Sequence, residues 1–153
     1  MMKLDTILVP LDGSPLAECA LPKATELAEA ANATIVLLRA AEAHTLPGVD
    51  PTDAQVRVVA EAEEYLAQVA ERLRTVGVRH VVPTVWYGPP ASTIVEGARF
   101  QKADLIVMTT HGRSGLGRLI LGSVAESVLR GTRTPILLIR TSEAPVEVPM
   151  ASS

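Results

Sequence analysis

At 153 residues the chain suits one domain with a buried core. It is 48% hydrophobic but only 3% aromatic, so Val, Ile, Leu and Ala must fill that core, as in parallel strands buried on both faces. A net charge of −3 argues against general nucleic-acid binding, and one cysteine, Cys19, excludes an internal disulfide.

In chain order, Thr6-Ile-Leu-Val-Pro10 reads as a short buried strand that runs into Leu11-Asp-Gly-Ser14. Ser14-Pro15 is a helix start, with Ser as cap and Pro at the first helical position. Ala17, Leu21, Ala24, Ala28 and Ala31 recur at helical spacing, with Cys19 expected as a small buried residue and a kink expected at Pro22. Thr34 to Leu38 is the second strand, and Glu42 to Thr52 reads as a loop. A long charged helix is expected from Asp53 to Val76, stopped by Gly77. His80 to Trp86 is a third strand, placed on an edge by Pro83. Gly88-Pro-Pro-Ala91 opens a helix with Ala91, Ile94, Val95 and Ala98 on one face. Leu105 to Met108 is the fourth strand, Leu121, Val124, Ala125, Val128 and Leu129 form the stripe of a last helix, and Pro135 to Ile139 is the fifth strand. Residues 142–153 are polar and proline-bearing, a flexible tail after a domain spanning 1–141.

Strands alternating with helices imply an α/β, doubly wound, five-stranded parallel sheet in a single domain. Ligands of such sheets sit beyond the carboxyl ends of the strands, at the switch point in strand order. No apolar run approaches the ~18 residues of a membrane span, and the amino terminus lacks a signal-peptide core. The expectation is a cytoplasmic protein without membrane or nucleic-acid partners.

The most informative stretch is Met108-Thr-Thr-His-Gly-Arg-Ser-Gly-Leu-Gly-Arg-Leu-Ile-Leu-Gly-Ser123. It is a glycine-rich connection from a buried strand to a helix. Glycine admits close backbone approach, and a helix N-terminus supplies free N–H groups and a positive dipole end, the needs of a phosphate site. The segment is also locally basic. Arg113 and Arg118 are well placed for a ligand, whereas Arg130, Arg133 and Arg140 balance acidic helices elsewhere. The P-loop pattern, the dinucleotide fingerprint after the first strand and the G-x-S-x-G elbow are all absent. No Cys/His spacing marks a metal site, and no residue is an evident water-activating base, so efficient enzymatic turnover is not expected.

From Thr6 to Arg140 the chain resembles the universal stress protein family. The resemblance rests on Ile7-Leu-Val-Pro-Leu-Asp-Gly-Ser14, Gly88-Pro-Pro-Ala91, His111-Gly-Arg-Ser-Gly115, Leu121-Gly-Ser-Val124 and Pro135-Ile-Leu-Leu-Ile139. The family's nucleotide-binding branch carries Gly, two residues, Gly, nine residues, Gly and then Ser or Thr, which falls here on Thr109, Gly112, Gly122 and Ser123. Thr109 is the one departure. If that position needs positive φ, a β-branched residue costs on the order of 1–2 kcal/mol.

The resemblance implies an adenine nucleotide alpha hydrolase-like sheet of order 3-2-1-4-5 and a bound ATP with its Mg2+. Pro10, Leu11, Ala40 and Met108 would wall the base, and Asp12 would accept from the ribose or adenine edge. Gly112, Gly122, Ser123 and Val124 would offer N–H groups to the phosphates, with Arg113 near the phosphate tail and His111 in a packing role. It also implies a nucleotide-sensing regulator of the stress response that dimerises through the last strand, Ile136, Leu137, Leu138 and Ile139. Simpler readings compete at single positions. Asp12 also suits an Asp-Gly turn, and Ser123 with Glu126 also suits a capping box. Two rival functions are a family member that works by protein contacts alone and an adenylating enzyme. The second lacks its S-G-G-x-D-S signature after the first strand.

Overall fold

Short apolar runs separated by capped helices resolve into one sheet. The computed structural model describes residues 3–44, 46–110 and 121–140. Its elements are β1 (Thr6–Pro10), α1 (Pro15–Glu18), α2 (Leu21–Ala31), β2 (Thr34–Ala41), α3 (Pro51–Thr75), β3 (Val81–Tyr87), α4 (Pro90–Phe100), β4 (Leu105–Thr109), α5 (Ser123–Gly131) and β5 (Ile136–Ile139). All strands run parallel in the order β3-β2-β1-β4-β5, as expected. The tail 142–153 lies outside the described residues.

Because side chains alternate along a strand, the sheet carries two cores. Ile7, Val9, Ile35, Leu37 and Val107 point to one face, where Leu21, Ala24 and Ala28 of α2 and Leu66, Val69 and Leu73 of α3 cover them. Leu8, Val36, Leu38, Ile106 and Met108 point to the other, under Ile94 and Ala98 of α4 and Ala125 and Val128 of α5. The sheet is therefore doubly wound. No helix among the described residues is long and apolar enough to cross a membrane.

Local chemistry sets the boundaries. Ser14 caps α1, its hydroxyl accepting the Ala17 N–H at 3.2 Å. The expected disturbance at Pro22 is a full break: α1 stops at Glu18, and Pro22 sits in the first turn of α2, where its missing N–H costs nothing. The break corrects the placement of Cys19, which is exposed at the end of α1, its thiol 3.6 Å from the Pro15 carbonyl. Ala31 is likewise exposed, as the last residue of α2 before left-handed Asn32. Leu129, expected in the buried stripe of α5, is 49% exposed. Helix α3 begins two residues earlier than expected. Asp50 caps it by accepting the Thr52 N–H at 2.9 Å, and Pro51 takes the first helical position. At its end Gly77, with φ +107°, closes a Schellman turn in which Gly77 donates to Arg74 and Val78 to Leu73. Strand β3 is an edge, as Pro83 requires. Gly97 lets α4 approach the sheet, since a Cβ there would run into Leu38.

Candidate functional site

The helices after β1 lie on one face and the helix after β4 on the other, so β1 and β4 diverge at their carboxyl ends. A cleft opens there. It is lined by Pro10, Leu11 and Asp12 at the end of β1, Ala17 of α1, Leu38 and Ala40 of β2, Pro90 and Ile94 of α4, Met108 and Thr109 of β4, and Val124 and Ala125 of α5. Its inner surface is apolar. Leu11, Leu38, Ile94, Met108 and Ala125 are all buried, while Asp12 stands exposed at the mouth. The backbone pairs β1 and β2 as far as Leu11, whose N–H donates to Leu38 at 2.8 Å, so this floor is held by the sheet itself.

The β1 rim is a tight turn. The Asp12 Oδ1 atom accepts the Ser14 N–H at 2.8 Å and the Ser14 hydroxyl. Gly13 between them has φ +86°, a conformation that favours glycine. Asp12 is therefore both a turn former and a residue of the cleft, so the simpler reading of its role and its place at the cleft hold together.

The β4 rim differs. Thr109 continues the extended strand, opposite Ile139 in register. Its φ is not positive; among described non-glycine residues only Asn32 and Lys102 are left-handed. The penalty feared for threonine at this position does not arise. Thr110 follows, with its N–H donating to Ile139 at 3.0 Å. It is 2% exposed, and its hydroxyl is the one buried side-chain oxygen among the described residues without a hydrogen-bond partner. Across the cleft, α5 starts from Gly122 in extended conformation, φ −60° and ψ 155°, with no side-chain cap. This corrects the capping-box reading of Ser123 and Glu126. Ser123 is already the first helical residue, and Glu126 turns down the helix to pair with Arg130 at 2.7 Å.

A family model described as the universal stress protein family matches residues 3–140. The chain belongs to the universal stress protein family. Its relatives include the universal stress protein MJ0531 of Methanocaldococcus jannaschii, 32% identical over 139 residues, 88% of this chain and 81% of the relative. A family member from Burkholderia pseudomallei is similar in structure at 33% identity, with a TM-score of 0.74 over 91% of this chain and 98% of its own. A universal stress protein crystallised in complex with cAMP is 28% identical, with a TM-score of 0.69 over 92% of this chain and 99% of its own. The sheet is the adenine nucleotide alpha hydrolase-like fold of those structures.

Of the residues named from the universal stress protein resemblance, Pro10, Leu11, Asp12, Ala40, Met108, Thr109 and Val124 line the one cleft. Gly122 and Ser123 begin the helix that forms its far wall. His111, Gly112 and Arg113 lie outside the described residues, as does Arg118. Leu38, Ile94 and Ala125 line the cleft too, although their periodicity reads only as core. Leu38 could have been found from Ala40, since residues two apart share a strand face. Nothing in the sequence marks the hydroxyl of Thr110 as unpartnered.

Proposed function

We propose that this universal stress protein binds ATP and acts as a homodimeric, nucleotide-sensing regulator of the stress response. The observation that carries the reading is the pairing of a buried apolar cleft with a far wall, lined by Val124 and Ala125, whose helix begins without a side-chain cap. A purine suits the slot between Pro10 and Leu11 on one side and Ala40 and Met108 on the other. Asp12, exposed at the mouth, would accept a hydroxyl of the ribose or the edge of the base. The uncapped start of α5 would turn the N–H groups of Gly122, Ser123 and Val124, with the Ser123 hydroxyl, toward the phosphates. Thr109, Gly112, His111 and Arg113 would complete that end, and Mg2+ would enter on the phosphate oxygens. The relative held in complex with cAMP supports an adenine nucleotide as the ligand class. The bound nucleotide supplies charge and contacts that the cleft senses; no catalytic role is assigned to any residue.

Dimerisation follows from the second edge of the sheet. Strand β5 is Ile136-Leu-Leu-Ile139, four aliphatic residues in a row, each only half-buried. An uncovered apolar edge of this kind pairs readily with another strand, and the β5 of a second copy would cover it by two-fold symmetry.

Two measurements test these points. With Mg-ATP at about 100 times Kd, binding adds about 2.7 kcal/mol. We expect the melting temperature to rise by roughly 5–10 °C for a domain of this size, and a flat melting curve across all ATP concentrations counts against the nucleotide. Light scattering should give twice the chain mass for the parent and the single chain mass for Leu138→Glu, since a carboxylate in an apolar strand pair stays unpaired. A monomeric parent at micromolar concentration removes the dimer.

A further inference from the structure

The polar residues behind the β1 rim form a connected chain that the cleft itself does not use. Arg39 of β2 lies between Leu38 and Ala40, two cleft residues, and its side chain leaves by the opposite face of the sheet. There its guanidinium carbon sits 5.0 Å from the centroid of the Tyr65 ring. On its other side it meets the turn. A Cβ built on Gly13 would lie 3.2 Å from both terminal nitrogens of Arg39. The guanidinium is thus sandwiched between an aromatic face and the backbone of Gly13. Tyr65 is fixed in turn, because its hydroxyl donates to Oε2 of Glu18 at 2.8 Å, and Arg72 holds the other oxygen of Glu18.

The chemistry of this chain is cooperative. A phenol that donates to a carboxylate has a more electron-rich ring and attracts a cation on its face more strongly. Burial, with the bond and charge of Glu18, pushes the Tyr65 hydroxyl well above its ordinary ionisation range, so it remains a donor. No carboxylate among the described residues pairs with Arg39. Its contacts are the ring on one side and the turn on the other.

We propose that Arg39, held on Tyr65 by the Glu18–Arg72 pair, is a positioning residue for the nucleotide site. It supports the Asp12-Gly13-Ser14 turn from behind and so sets where the Asp12 carboxylate stands at the mouth of the cleft. The inference rests on the proposed nucleotide reading for its effect on affinity, but not for its effect on the turn. Small residues at position 13 follow from the same contact. Any side chain there meets the guanidinium as well as the positive φ.

The test uses Arg39→Met, which keeps length and apolar stem but loses the planar cation, with Arg39→Lys and Tyr65→Phe beside it. Amide hydrogen exchange of the ligand-free protein reads the turn, since the Ser14 N–H is protected by Asp12. Calorimetry with Mg-ATP reads the site. In Arg39→Met we expect exchange at Ser14 to rise about tenfold and Kd for Mg-ATP to rise about five- to tenfold, with exchange in β1 and α2 unchanged. Arg39→Lys should recover part of both effects, and Tyr65→Phe should show a smaller version of both. Unchanged exchange at Ser14 in a folded Arg39→Met overturns the proposal, as does an equal rise across the whole domain, which marks a merely structural residue. If the parent itself gives no heat with Mg-ATP, the nucleotide reading fails, while the exchange result still decides whether Arg39 holds the turn.

Discussion

The two rims of the cleft stand on the same sheet and differ in how far the chain satisfies itself. At the β1 rim the turn is tied by its own side-chain hydrogen bonds. Asp12 takes the N–H and hydroxyl of Ser14, Ser14 caps Ala17, and the Arg39 guanidinium fills the space a side chain at Gly13 would need. At the β4 rim the Thr110 hydroxyl is buried without a partner, and α5 begins at Gly122 with no side-chain cap. A buried hydroxyl left unpaired costs about 1–3 kcal/mol, and the first N–H groups of a helix have no partner within it. The tied rim holds Asp12 in a defined turn and so can set shape and orientation. The β4 side is where an anionic ligand gains most, because the first N–H groups of α5 are left without a side-chain cap.

Substitutions at the two rims should therefore act differently. The largest effect is expected at Gly122. Its φ and ψ are ordinary for any residue, so Gly122→Val leaves the helix start intact. The two methyl groups would stand where the phosphates approach, and Kd for Mg-ATP should rise about a hundredfold, near 2.7 kcal/mol, with the ligand-free melting temperature little changed. Equal affinity in this variant would place the phosphates elsewhere and dissolve the contrast between the rims.

At the β1 rim, Asp12→Ala removes both the proposed ligand contact and the turn bond. Affinity should fall about tenfold, and stability by about 1 kcal/mol, as for other lost caps, when unfolding is followed in urea. A loss of affinity with no loss of stability would mean that the turn does not depend on the carboxylate.

The smallest effect has an informative sign. Thr110→Val replaces an unpaired hydroxyl by a methyl group of the same shape. The ligand-free protein should gain about 1 kcal/mol, read as a rise in melting temperature, while Kd for Mg-ATP rises about threefold. Stabilisation with unchanged affinity would show that the hydroxyl serves no ligand.

How much of this was legible in the sequence follows the same division. Strands and helix ends come from local chemistry, since Pro83 names an edge and Ser14-Pro15 and Gly77 name helix ends, whereas the full strand order comes from the family resemblance. Asp50-Pro51 carries an equally good start signal, masked by the prolines and glycine around it that read as a loop. Cys19 departs from its expected buried place because one alanine stripe runs across a break that only Pro22 hints at. Ser123 suits a cap by residue type, but Gly122 before it takes the extended conformation, and a one-residue shift moves Glu126 out of reach. The apolar wall of the cleft, Pro10, Leu11, Ala40 and Met108, comes from the family resemblance, and the fold places it at the end of the core. The brace of Arg39 on Tyr65 and the lone hydroxyl of Thr110 were not legible, since both arise from elements that meet only in the folded chain.

The most direct test of the central claim is calorimetric titration of the purified, nucleotide-free protein with Mg-ATP. The account predicts a saturable heat with one nucleotide per chain. A folded protein that gives no heat at millimolar Mg-ATP would contradict it, and leave the cleft as a surface for contacts other than nucleotide.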